Sequence, residues 1–147
     1  MAASFPVVPG SPRLVGKQNT VGQTTLNVSI TGAVGSYSAW AQATASSASE
    51  YYVVGVVVNS TSTDGGSLRT ALIDVGVGGA GSEVALGTAS FVMLTASVCG
   101  VGYFPVPLRI SAGSRISARA MMASWSSGSA TLATTLLLVP YASVEGN

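Results

Sequence analysis

Thr25–Val34 reads TLNVSITGAV. Leu26, Val28 and Ile30 alternate with Asn27, Ser29 and Thr31. Successive side chains of a strand point to opposite faces, so this period of two specifies a strand with one buried face. The pattern continues along the chain. Residues 50–67, EYYVVGVVVNSTSTDGGS, give a β-branched strand that ends in a polar turn, and Gly55 in its middle marks a bulge or a close backbone approach. Residues 68–78, LRTALIDVGVG, give another strand. Its faces are Leu68, Thr70, Leu72 and Asp74 against Arg69, Ala71, Ile73 and Val75. The stretch 38–46, SAWAQATAS, fits a strand or a loop, and 83–98 holds one strand and a bend. Residues 103–110, YFPVPLRI, form a strand whose prolines remove ladder donors, so its first half belongs at an edge or a strand start. Residues 114–124 run back after a turn. Residues 130–141, ATLATTLLLVPY, close the domain as a strand rather than a helix, given the threonines and Pro140. The expectation is seven or eight strands and no capped helix: an all-β domain over residues 21–147, a two-sheet sandwich or jelly roll.

Residues 1–20 differ. Pro6, Pro9 and Pro12 recur every three residues, which favours an extended path. Phe5, Val7, Val8, Leu14 and Val15 are apolar for a tail kept in water. This segment reads as an extended N-terminal arm on a neighbouring surface, or as a frayed terminus. Phe5, Val7, Val8 and Arg13 are its candidate contact residues.

Charged residues make up only 7 % of the 147, with a net charge of +1. A typical soluble domain carries about a quarter. Either partner subunits cover much of the surface, or Ser and Thr coat a monomer. No basic run is present to neutralise phosphates or anionic lipid, so neither nucleic acid nor membrane is an expected partner. The longest apolar runs are too short for a membrane helix of about 20 residues. No secretory leader is visible at residues 1–16, which points to synthesis in the cytoplasm. The single Cys99 excludes an internal disulfide, and its apolar surroundings, TASVCGVGYF, predict a buried small hydrophobe.

Histidine is absent, which removes His-dependent triads and His metal sites. The five acids are widely spread, and neither Asp64 nor Asp74 has calcium-loop spacing. The run GVGGAG at 76–81 lacks the Lys-Ser/Thr ending of a phosphate loop and reads as a turn. Neither an enzyme, a metal nor a cofactor is expected.

Three of the five arginines fall within Tyr103–Arg119, YFPVPLRISAGSRISAR. Read as a hairpin about Ala112–Gly113, this places Ile116, Ala118 and Ala120 toward the core. Arg115 and Arg119 then face outward with Ser117, about 14 Å apart, and Arg109 joins them from the partner strand. Such a face is either a solvated surface that prevents edge pairing or a contact with another subunit. Asp74 and Glu83 are candidate partners, in the same chain or a neighbouring one.

Residues 72–86, LIDVGVGGAGSEVAL, 103–121, YFPVPLRISAGSRISARAM, and 130–139, ATLATTLLLV, together resemble a pattern in virion structural β-domains of tailed bacteriophages. The likeness spans about residues 68–139, and no catalytic residue carries over. It is nearest to capsid decoration (cement) proteins. It implies a homotrimer bound to the major capsid protein on the outer surface of the virion. The alternatives are a receptor-binding or fibre-tip module and an adhesin unrelated to phage. In the receptor reading, Trp40, Tyr51, Tyr52 or Trp125 would stack on sugars; otherwise these aromatics lie in the core.

Overall fold

The computed structural model describes residues 24–60, 69–93, 99–123 and 129–141. They form eight strands: β1 (Thr24–Val34), β2 (Ala41–Thr44), β3 (Tyr51–Ser60), β4 (Arg69–Val77), β5 (Val84–Met93), β6 (Cys99–Ile110), β7 (Ile116–Met122) and β8 (Ser129–Pro140). All are hydrogen-bonded into one sheet in the order β5-β4-β7-β1-β8-β3-β6, with β2 also on β7. Only β1 and β7 pair in parallel, through Ala33–Met121 and Val34–Met122. The chain then reverses, and β2 continues along the same edge of β7, antiparallel. The all-β expectation holds, and the sheet curls until it is nearly closed and barrel-like.

The two ends of the path, β5 and β6, meet at a seam packed by side chains. The Phe91 ring lies over Gly102, where an added Cβ would come within 2.8 Å of Cζ. Leu108 lies over Gly87 in the same way, at 2.8 Å. Glycine lets each apolar side chain fold onto the opposite backbone.

The interior is filled by one face of every long strand. Val28 and Ile30 of β1, Ala71, Ile73 and Val75 of β4, and Ile116, Ala118, Ala120 and Met122 of β7 are buried. Leu132, Leu136 and Leu138 of β8 join them. In β3 the buried set changes phase, from Val53 to Val56 and Val58. Against β8, Val53 is opposite Leu138 and Gly55 opposite Leu137, so Val54 is an extra residue. This bulge turns the second half of β3 over and keeps its valines inside. Against β6 the break is wider: Val53 faces Leu108 and Gly55 faces Tyr103. Residues 104–107 therefore bow out of the ladder, and Pro105 and Pro107 sit where no donor is needed. Gly55 meets both readings made of it, a bulge and a close approach.

The expected hairpin at 103–119 does not form. β6 pairs with β3, whereas β7 pairs with β4, β1 and β2. The turn at Ser111–Ser114 instead carries the chain from an edge strand to one in the interior of the path. It is held by Ser47, which is 6 % exposed. The Ser47 Oγ donates to the Ser111 carbonyl at 2.8 Å and accepts from the Ser114 N–H at 3.2 Å. The Ser47 N–H donates to the Ser114 carbonyl, and the Gly113 N–H to the Ser47 carbonyl. Gly113 has φ +79°, the left-handed conformation that this turn requires. Residues 1–20 and the side chain of Cys99 lie outside what is described.

Gly55→Ala tests the bulge. Its Cβ would fall 2.8 Å from the Gly102 carbonyl oxygen and 2.9 Å from the Tyr103 ring. Overpacking against backbone costs about 1–3 kcal/mol. Chemical denaturation should show a loss in that range, with an unchanged slope.

Candidate functional site

The three clustered arginines reach three separate places. Arg119 on β7 stands directly opposite Asp74 on β4, and Asp74 directly opposite Thr88 on β5. Register alone therefore builds a row across three strands. Arg119 Nε donates to Asp74 Oδ2 at 2.8 Å, and Thr88 Oγ1 donates to Oδ1 at 2.6 Å. The guanidinium lies between the Tyr37 and Trp40 rings, 4.3 and 4.5 Å from their centroids. Trp40 in turn needs Gly76, where a Cβ would come within 2.7 Å of the indole. Burial, followed by the Asp74 charge, raises the pKa of the Tyr37 hydroxyl.

Arg115 precedes β7 and pairs with Glu83, just before β5. Its Nε donates to Gln42 Oε1 at 3.0 Å. The Gly81 N–H donates to the other Glu83 oxygen at 2.8 Å. The GVGGAG run is thus a turn, with Gly78 and Gly81 at positive φ. The hydrogen bond from Arg115, helped by the Gly81 N–H, holds the Glu83 carboxyl below the usual glutamate pKa, against the opposing effect of burial. Arg109, at the end of β6, pairs with Glu50 and lies 4.5 Å over the Tyr141 ring. The bond to Glu50 raises its pKa further.

These positions correct the shared arginine face. Only Arg109 is open, its side chain 58 % exposed against 17 % for Arg115 and 30 % for Arg119. Ser117, expected outward, is on the outer side of β7 but fully buried, and its Oγ has no hydrogen-bond partner. The side chains of Tyr37 and Trp40 pack over this outer surface, against Arg119 and Gly76. The expected partners Asp74 and Glu83 bind their arginines within the chain. Phe5, Val7, Val8 and Arg13 lie outside the described residues, as does Trp125. Period-two reading missed Tyr37, Ser47 and Glu50, because loop residues carry no periodic signal, and Gln42, because the four-residue β2 is too short to show one. Trp40 is engaged by Arg119 and Gly76, and Tyr52 stacks on Tyr141 with centroids 5.5 Å apart.

Among the described residues, no three His, Cys, Asp or Glu side chains gather where a metal ion could be held. No helix among them is long and apolar enough to cross a membrane. The arrangement joins strands and neutralises charge. Its open elements are Arg109 and a set of apolar side chains on β5 and β6: Val84, Leu86, Val92, Val101, Tyr103 and Val106. No protein-family model matches the chain, and no curated protein matches it.

Arg119→Ala leaves the Asp74 carboxylate, 4 % exposed, without its cation. Removing one member of a buried pair costs about 3–5 kcal/mol, and replacing both by apolar residues recovers much of that. Calorimetry should therefore rank wild type above R119M/D74L, with R119A lowest. At Glu83, a folded-state pKa below the ordinary 4.5 means stabilisation that is present above that value and lost as pH falls through the lower one. Glu83→Gln should flatten the fall of Tm below about pH 4.5.

Proposed function

We propose that the chain is a capsid decoration protein of a tailed bacteriophage, made in the host cytoplasm, bound to the outer surface of the head and bridging major capsid subunits. The observation that carries this reading is a surface short of charge that leaves large apolar side chains in water. Val84, Tyr103 and Val106 are 65, 70 and 72 % exposed, and all three clustered arginines are paired within the chain. A surface of that kind suits a subunit buried in a lattice. The resemblance at 72–86, 103–121 and 130–139 supplies the virion context. In the same reading the nearly closed sheet is a flattened, jelly-roll-like sandwich, the protein is a homotrimer, and its role is mechanical rather than enzymatic. Residues 1–20 act as the arm. Many linked contacts then strengthen the shell beyond any single one.

Gold-labelled antibody on purified phage particles is the test. Labelling over the whole head is expected. Gold confined to the tail or one vertex would replace this role with receptor binding, and unlabelled particles would overturn it. On particles, protein lacking residues 1–20 should fold but be lost from heads; full occupancy without the arm would remove the arm from the mechanism.

A further inference from the structure

Among the described residues, the Ser117 Oγ alone is a buried side-chain polar atom without a hydrogen-bond partner. Ser117 is fully buried although it lies on the outer side of β7. Its neighbours across the two ladders are Gly76 on β4 and Gln42 on β2. The Trp40 ring lies on Gly76, where an added Cβ would meet Cη2 at 2.7 Å. Trp40 and Gln42 therefore flank the hydroxyl, and both belong to the segment that links β1 to β2.

That segment follows one edge of β7 and is lightly held there. The Gly35 and Ser38 N–H groups donate to the Met122 and Ala120 carbonyls at 3.0 and 2.8 Å. The Ala120 N–H donates back to Ser38 Oγ at 3.2 Å. β2 adds only four residues, pairs with β7 alone and shifts register between Gln42 and Thr44. From outside, the Arg119 guanidinium sits between the Tyr37 and Trp40 rings. Closing the segment seals the Ser117 hydroxyl away from water with no bond in return, which is unfavourable. Opening it need not disturb the sheet. β7 stays paired with β4 from Ala71 to Val77, and Arg119 keeps Asp74.

We propose that residues 36–44 are a strap that lifts off β7 as a unit, with Arg119 as its latch and the sealed Ser117 hydroxyl as its bias toward opening. Gly35 is the hinge. It has φ +71°, and an added Cβ would meet nothing within 4 Å. Ser47 is the fixed point at the other end, buried and bonded to Ser111 and Ser114. Lifting hydrates Ser117, frees the Tyr37 and Trp40 rings and uncovers the edge of β7 from Ile116 to Ala120. An uncovered edge accepts an added strand from another chain. In the closed state the strap occupies that edge itself, as an autoinhibitory contact. The inference rests neither on the capsid nor on residues 1–20.

Amide hydrogen exchange on the full chain tests it. The Ser38 and Ala120 N–H groups should exchange through a local opening, roughly a hundredfold faster than the Leu132 and Leu136 amides of β8, which lies between two ladders. Ala120 is fully buried, so early exchange there reports the strap and not a frayed surface. Ser117→Ala removes the sealed hydroxyl and should slow exchange at Ser38 and Ala120 by about tenfold. Ile30→Val, in the core of β1, should speed the β8 amides and leave these two unchanged. Both substitutions are conservative, so both proteins fold. The inference is overturned if Ser38 and Ala120 are as protected as β8, if Ile30→Val accelerates all four amides alike, or if Ser117→Ala leaves the strap amides unchanged.

Discussion

A nearly closed sheet has one interior, and each strand can fill it only with every second residue. The fold depends on all the long strands keeping their apolar residues in one phase across that interior. Most do so by alternation alone. β3 cannot, because Val53 and the pair Val56 and Val58 are an odd number of residues apart, and all three are fully buried. The extra residue at Val54 resolves the conflict. Its neighbours follow from it. Gly55 yields space to the Gly102 carbonyl, β6 bows outward, and the bowed segment is the one place in that strand where two prolines cost no ladder bond. Phe104 turns inward from the same segment and fills the core beside the seam.

Charge is used with similar economy. The three described ion pairs each connect parts of the chain far apart, with partners separated by 32 to 59 positions in sequence. Desolvating a carboxylate such as Asp74 is unfavourable unless its oxygens are satisfied. Here one oxygen has a guanidinium and the other a hydroxyl, both set by strand register. The outer surface of β4 and β7 is thereby neutralised, and the Tyr37 and Trp40 side chains cover it at Arg119 and Gly76. Arg109 and apolar side chains such as Val84, Tyr103 and Val106 stay exposed on the described surface.

The strands were legible because alternation is local. Seven of eight follow directly from runs such as 25–34 and 68–78, and short β2 lay in a stretch open to either reading. Pairing was not legible. A four-residue turn between two strands suggests a hairpin, yet β6 and β7 are not neighbours, because the Ser111–Ser114 turn is anchored by Ser47 from 64 residues away. That misreading also displaced the candidate site. Arg109, Arg115 and Arg119 share a face only if their strands share a ladder. Two of their acidic partners, Asp74 and Glu83, could be named because the chain has few anions, but Glu50, which pairs with Arg109, could not. The aromatic cover of Arg119 was hidden in a loop with no period to reveal it.

The position of β8 governs when this protein can fold. β8 is the last strand in chain order, yet it lies between β1 and β3, with a ladder on each side. During synthesis, β1 and β3 appear early and have no partner in common until residues 129–140 have left the ribosome. Before that, the nascent chain carries two unclosed sheet edges, and the ladder that closes the first joins residues such as Thr31 and Thr131, 100 apart in sequence. Contacts of such long range fold slowly, in about milliseconds to seconds. Until then the strand-rich segments are exposed to wrong partners.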